Sequence, residues 1–201
     1  MTRVVAGAAR GRRLAVPLGT GTRPTSDRAR EALFSTLTSM VGAWAGARVL
    51  DLYAGSGAVG LEALSRGAAS CLLVESDARA LRTVRANVET LGLTGAEVHG
   101  GRVEALAAGA SPGPAYDVVF LDPPYDMLGD RLRTVLAELL EHGWVAPGAV
   151  VALERASRDV PWSWPGGFVG ERSRRYGEAT LWYGRAAGAD DPAGPVENAG
   201  G

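Results

Sequence analysis

Between residues 48 and 153 the apolar positions alternate between two periods. Short apolar runs at Arg48–Leu52, Cys71–Glu75, Val118–Leu121 and Ala149–Leu153 read as strands, and Ala96–His99 reads as a further short one. The intervening segments keep helical spacing. One helix is expected from Val59 to Arg66, stopped by Gly67. A second is expected from Ala78 to Leu91, with Leu81, Val84, Val88 and Leu91 on one face and Gly92 as its end. A turn or helix falls near Val103–Leu106. A longer helix carries Leu132, Val135, Leu136, Leu139 and Leu140 and is stopped by Gly143. Strands that are apolar throughout are buried on both faces, which is the mark of a parallel sheet covered by helices. The chain is therefore expected to be α/β.

The two ends depart from this alternation. Residues 3–17 read as two short strands around a glycine-bearing basic turn, followed by a loop over Gly19–Pro24. Thr25, Ser26 or Asp27 can then cap a helix that lines up Ala29, Leu33, Phe34, Leu37 and Met40 or Val41. At the other end, Phe168–Tyr176 and Thr180–Arg185 read as an antiparallel hairpin joined at Gly177-Glu178. The expected division is a basic hairpin and loop over 1–24, a main domain over 25–185, and a disordered tail over 186–201, rich in Gly, Ala, Pro and Asp.

Charge changes this picture at one place. The formal net charge of the 201 residues is only −1, yet residues 1–30 hold seven arginines against Asp27 alone. A basic arm of that kind favours a polyanionic partner, because neutralising phosphates releases counterions. Arg10, Arg12, Arg13, Arg23 and Arg28 are the expected nucleic-acid contacts. The single cysteine, Cys71, lies in an apolar strand and reads as a small core residue. Two histidines and one cysteine, far apart, offer no metal-ligand spacing. The chain lacks an apolar run of membrane-spanning length, and its Arg-rich start lacks the apolar stretch of a signal peptide. A cytoplasmic monomer without metal is expected.

Candidate chemistry sits at the ends of two expected strands, where open α/β sheets collect their ligands. The first is Asp51-Leu52-Tyr53-Ala54-Gly55-Ser56-Gly57. Gly55 to Gly60 also fits G-x-G-x-x-G, a weak signal alone, and the glycines by themselves fit a ligand-free turn as well. Asp51 by itself fits a helix cap. Placed four residues before Gly55, however, a carboxylate repels the pyrophosphate of a dinucleotide and suits a cationic amino-acid group. S-adenosylmethionine carries such an ammonium and no phosphate. Glu75, with Ser76 after it, ends the next strand and can accept from the ribose hydroxyls. Tyr53, Ala54, Gly55, Ser56 and Gly57 complete the expected cofactor site. The second segment is Asp122-Pro123-Pro124-Tyr125. An aryl amine is a poor nucleophile, so its transfer chemistry needs acceptors that hold its hydrogens while the lone pair faces the methyl donor. Asp122 and the Pro123 carbonyl can be those acceptors, the prolines fix the turn, and Tyr125 can stack on a base, an interaction worth about 1–3 kcal/mol.

With these segments in place the chain resembles the bacterial 16S rRNA guanine-N2 methyltransferases of the RsmD type, from Arg3 to about Tyr183. The resemblance is carried by Arg3–Gly7 with Arg10-Gly11-Arg12, Arg23–Phe34, Asp51–Gly57, Asp122–Tyr125 and Arg175-Tyr176-Gly177. It implies a Rossmann-like methyltransferase fold with a seven-stranded, mainly parallel sheet and S-adenosyl-L-methionine as cofactor. It also implies methylation of guanine N2 in 16S rRNA, at position 966, with the rRNA or a small-subunit particle as partner. Relatives often carry an acid that meets the adenine amino group where this chain has Gly101, so no adenine-contacting side chain is assigned. Two other functions fit parts of the pattern. An adenine-N6 or cytosine-N4 DNA methyltransferase uses a similar turn, but this chain has no evident target-recognition domain. A non-catalytic RNA-binding assembly factor would not need both intact segments. A dehydrogenase fails on Asp51.

Overall fold

The alternation of apolar strands and amphipathic helices resolves into a helix-covered sheet in the computed structural model, which describes residues 2–17 and 27–188, the side chains of Asp27 and Arg28 excepted. The elements are β1 (Thr2–Arg3), β2 (Arg13–Leu14), α1 (Asp27–Val41), β3 (Arg48–Leu52), α2 (Ala58–Ser65), β4 (Ser70–Glu75), α3 (Ala78–Leu91), β5 (Ala96–Gly100), α4 (Val103–Ala107), β6 (Tyr116–Leu121), α5 (Gly129–Glu141), β7 (Val145–Ala156), β8 (Phe168–Tyr176) and β9 (Ala179–Ala186). Seven strands form one sheet in the order β5-β4-β3-β6-β7-β9-β8. The first five run parallel, and β9 pairs antiparallel with both β7 and β8. The Rossmann-like α/β expectation holds. The loop expected at 19–24 and the tail beyond Gly188 lie outside the described residues.

Side chains alternate across the sheet with the two-residue period of a strand. Val49, Cys71, Leu73, Val118 and Phe120 enter one core, with Leu33, Phe34 and Leu37 of α1, Leu61 and Leu64 of α2 and Val84 of α3. Leu50, Leu52, Leu72, Val74, Val119 and Leu121 enter the other, with Leu132, Val135, Leu136 and Leu139 of α5. Cys71 is a buried free thiol in the first core, as its setting implied. Helix α3 starts where the Asp77 side chain accepts from the backbone N–H groups of Arg79 and Ala80, and stops at left-handed Gly92.

Strand β7 is longer than its apolar run. Val145 pairs with Tyr116 ahead of a register irregularity, so the strand continues through Pro147-Gly148, which in sequence reads as a turn. At its other end Ala156 pairs with Ala179, because β9 extends the ladder beyond Leu153.

The N-terminal hairpin is bound to the sheet domain by α2. Both oxygens of the buried Glu62 carboxylate accept backbone N–H bonds, from Val5 at 2.6 Å and Ala6 at 2.9 Å. The Ser65 carbonyl accepts from Ala8 at 2.7 Å, and its hydroxyl accepts from Ala9 at 2.9 Å. Between these bonds Gly7 has φ +81°, and a Cβ there would sit 1.8 Å from the Ser65 carbonyl oxygen. Only glycine permits this approach. Val4, Ala9 and Leu14 consequently join the first core.

Candidate active site

Strand β3 lies where the strand order reverses. From β3 the chain runs outward through β4 and β5, then returns to place β6 on the opposite side of β3. A crevice opens at the carboxyl ends of the strands flanking such a reversal. A pocket of about 310 Å³ occupies it, lined by Asp51, Tyr53, Ala54, Gly55, Ser56, Glu75 and Ser76 of the expected cofactor set and by Asp122 and Pro124 of the second segment. The two segments thus share one cavity. Gly57 and Pro123 stand next to it in sequence without lining it. Thr2, Val16 and Pro17 also line it, so the base of the N-terminal hairpin forms part of its wall.

The turn after β3 is strained into place. Tyr53 has φ +61°, in the left-handed region that side chains other than glycine rarely adopt. Its hydroxyl donates to the Met127 sulfur at 3.5 Å. The three glycines do different work. A Cβ at Gly57 would fall 2.6 Å from Val84, and one at Gly60 would fall 2.5 Å from the Cys71 sulfur, so both are needed for α2 to pack on the sheet and α3. A Cβ on Gly55 would meet no side chain within 4 Å, and this glycine faces the pocket instead.

Three strand ends deliver carboxylates. Asp51 is buried, and its Oδ2 accepts the Gly60 N–H at 2.8 Å. Burial raises its pKa to about 7, the Gly60 hydrogen bond works against this, and nearby Glu75 adds to it. Glu75 accepts from the backbone N–H of Gly55 at 2.8 Å and of Asp77 at 2.7 Å, one on each oxygen. Those bonds orient the carboxylate and leave lone pairs for further donors. Asp122 follows the last residue of β6, and its pKa is pushed well above the usual carboxylate value by burial, then by Glu154 and by Asp51. Glu154 carries no role in the sequence reading. It directly follows Leu153, which pairs with Leu121, so Glu154 within β7 lies beside Asp122, the first residue after β6. An acid at the end of an apolar run is the signal that located Asp51, and it was equally present at Glu154.

Tyr125 is placed differently from the other members of its segment. Its ring, 43% exposed, lines a neighbouring cleft with Ser157, Arg158, Arg175 and Glu178. Among the expected basic contacts, Arg10, Arg12 and Arg13 are exposed on the hairpin. Arg12 is engaged with the end of α3, donating to the Leu91 carbonyl at 2.7 Å and to that of Thr90. Arg23 and the Arg28 side chain lie outside the described residues. Asn87 of α3 was also missed. Its side chain exchanges two bonds with the Ala15 backbone and donates to the Ser56 carbonyl at 2.8 Å, joining the hairpin to the glycine turn. Among the described residues no cluster of His, Cys, Asp or Glu could hold a metal, and no helix is long and apolar enough to cross a membrane.

Of the described residues lining the main pocket, Asp51, Glu75, Asp77 and Asp122 are acidic and Arg30 alone is basic. Arg30 already donates to the Thr2 hydroxyl and the Arg3 carbonyl and lies 3.9 Å from Glu62. Such a lining suits a cationic ligand and opposes a pyrophosphate, which fits S-adenosylmethionine and not a dinucleotide. Fold and site together define an S-adenosylmethionine-dependent methyltransferase of the Rossmann-like class. The family model described as "Conserved hypothetical protein 95" matches residues 2–185, and the chain belongs to that family, the RsmD family. Ribosomal RNA small subunit methyltransferase D of Escherichia coli is 37% identical over 166 residues, covering 81% of this chain and 80% of its own length. The solved structure of yhhF from Escherichia coli superposes with a TM-score of 0.80 at 32% identity, covering 92% of this chain and 98% of that one. A hypothetical protein from Thermus thermophilus gives a TM-score of 0.73 at 37% identity, covering 91% and 98% respectively.

Proposed function

We propose that this methyltransferase acts on ribosomal RNA of the small subunit, transferring a methyl group to the exocyclic N2 of one guanine, that at position 966 of 16S rRNA. The observation that carries the reading is the joint lining of one pocket by Asp51, Glu75 and Asp122. Supporting it is the similarity to the Escherichia coli enzyme whose name states small-subunit rRNA methylation.

Each residue has a task that follows from its setting. Bound S-adenosylmethionine supplies an electrophilic methyl group on a sulfonium centre. Asp51 faces its ammonium group, and Glu75, held by Gly55 and Asp77, accepts from its ribose hydroxyls. Asp122 takes one amine hydrogen of the guanine, and the carbonyl of Pro123, which adjoins the pocket without lining it, is assigned the other. This keeps the nitrogen lone pair directed at the methyl carbon, and alignment of this kind can lower a barrier by about 7–11 kcal/mol. The proton lost from nitrogen passes to a carboxylate, and the raised proton affinity of Asp122 beside Glu154 and Asp51 suits it to that step. The guanine has to leave its stack to reach the pocket, at a cost of a few kcal/mol that falls when the base is already unpaired. The exposed Arg10 and Arg13 hold the RNA backbone on the hairpin side of the pocket.

The test is Asp122→Ala. The variant is expected to bind S-adenosylmethionine in calorimetry as the wild type does and to lose about 100-fold or more of its turnover on rRNA, the scale of a general base. Undiminished methylation would remove Asp122 from the mechanism.

A further inference from the structure

The cleft beside Tyr125 is separate from the main pocket, although the two meet along one stretch of chain. Pro124 lines the larger and Tyr125 the smaller, and consecutive Cα atoms are only about 3.8 Å apart. The smaller cleft measures about 210 Å³ and is walled by the turn after β7 and by the β8–β9 hairpin. These walls are cross-linked. Ser157 donates its N–H to the Glu178 carbonyl at 2.7 Å, and its hydroxyl lies 2.9 Å from that of Thr180. Arg155 donates to the Met127 carbonyl at 2.7 Å and pairs with Asp159 at 2.8 Å, which fixes the Asp122–Met127 loop against the same turn.

Two arginines from different elements line this rigid frame. Arg158 comes from the turn and makes no hydrogen bond or ion pair among the described residues. Arg175 comes from β8 and uses only its Nε, which donates to the Gly177 carbonyl at 3.2 Å. Both are exposed, as are Arg172 and Arg174 further along β8. Arginines on an edge strand also guard against strand pairing with other chains. That role does not require Arg158, which lies off the strand, nor an aromatic residue lining the same cleft.

We propose that Tyr125, Arg158 and Arg175 form a second RNA subsite, in which the two arginines grip a phosphodiester next to the target nucleotide while Tyr125 packs against the adjoining sugar or base. The proposal rests on the reading of the main pocket as the site of a guanine, since it follows the same strand out of that pocket. The subsite acts on substrate hold and not on the transfer step, and it lies apart from the residues assigned to the cofactor. Glu178 on its rim opposes a phosphate and limits how tightly a free anion binds there.

The test uses Arg158→Ala, Arg175→Ala and the double variant, with a protein-free 16S rRNA fragment titrated over a range of KCl concentrations. The double variant is expected to lower the slope of log affinity against log salt by about two, one for each lost phosphate contact. KM for RNA is expected to rise about tenfold or more, as for lost bonds to a charged group, with kcat within twofold. Calorimetric affinity for S-adenosylmethionine should not change, and Arg158→Lys with Arg175→Lys should restore most of the slope. An unchanged slope and KM in the double variant would overturn the subsite. An effect on assembled particles but not on protein-free RNA would also overturn it, by assigning the cleft to a ribosomal protein. Arg158→Ala alone breaks no bond among the described residues, so its slope decides the matter if the double variant fails to fold. Wild-type protein that binds this RNA but methylates neither it nor the assembled particle would refute the guanine reading and leave the salt slopes to judge the subsite separately.

Discussion

In the proposed reading, Asp51 ties stability to ligand binding. Its carboxyl is buried against Gly60 with a pKa near 7, whereas the unfolded chain titrates near 3.8. The folded state therefore holds the proton more tightly. The favourable contribution is complete below about pH 4, is lost as pH rises towards 7, and stays lost above it, a span of about 4 kcal/mol at about 1.4 kcal/mol per unit. A ligand ammonium reverses the preference by favouring the ionised form. Cofactor affinity is accordingly expected to rise with pH, by up to about tenfold per unit, and to level off above about pH 7. Asp51→Asn should flatten both profiles, with a cofactor-free protein more stable than wild type at pH 8 and a weakened hold on S-adenosylmethionine. Urea midpoints and calorimetry at pH 5, 6, 7 and 8 check this, and parallel profiles for the two proteins would contradict it. Asp51, Glu75 and Asp122 were legible in sequence because each ends an apolar run. Glu154 obeys the same rule and was passed over because no motif surrounds it. The position of Tyr125 was illegible, since a turn of two prolines does not reveal which of two adjacent clefts the following ring enters.

At the scale of elements, strand and helix positions could be read because periodicity and caps are local. Asp77 and Gly92 bound α3 by bonds to residues within four positions. What joins the elements could not be read. The bonds from Val5 and Ala6 to Glu62 span 57 and 56 residues, and a glutamate within the apolar helix Ala58–Ser65 gives no sequence sign of its partners. Glu62 also accepts from Arg66 at 2.8 Å and faces the buried Arg30. Removing it leaves two backbone donors without their acceptor and takes away the carboxylate that Arg66 bonds and Arg30 faces. Glu62→Ala is therefore expected to cost about 3–5 kcal/mol, the usual loss when one partner of a buried ion pair is deleted. The urea midpoint should fall with little change in m-value, and hydrogen exchange should accelerate at Val5 and Ala6. Exchange as slow as in the wild type at those two amides would show that another contact holds the hairpin. The extension of β7 was hidden for a related reason, because β9, 23 positions or more away, decides where that strand ends.

For the whole molecule, the reversal of strand order at β3 brings together residues that sequence places about 70 positions apart, and it seats the hairpin base beside them. The parallel sheet and closing hairpin followed from apolar patterning. The shared pocket followed from the strand-end rule. The sequence treated the basic arm as a uniform set of contacts, and the folded chain divides it. All three of Arg10, Arg12 and Arg13 are exposed, but Arg12 is bonded to the end of α3. Replacing Arg10 and Arg13 with alanine should lower the salt dependence of RNA binding by about two in slope, whereas Arg12→Ala should mainly lower the melting temperature. Equal slopes for the double variant and the wild type would place the arm away from RNA. The central claim, one acid-lined pocket that joins S-adenosylmethionine to a guanine amine, is tested most directly by identifying the product. Purified protein is incubated with labelled S-adenosylmethionine and unmethylated 16S rRNA, both protein-free and assembled in small-subunit particles, and the digested RNA is resolved by liquid chromatography and mass spectrometry. One N2-methylguanosine per rRNA, at position 966, is the predicted result. A methyl group on adenine N6 or cytosine N4, or RNA left unmodified in both forms, would contradict it.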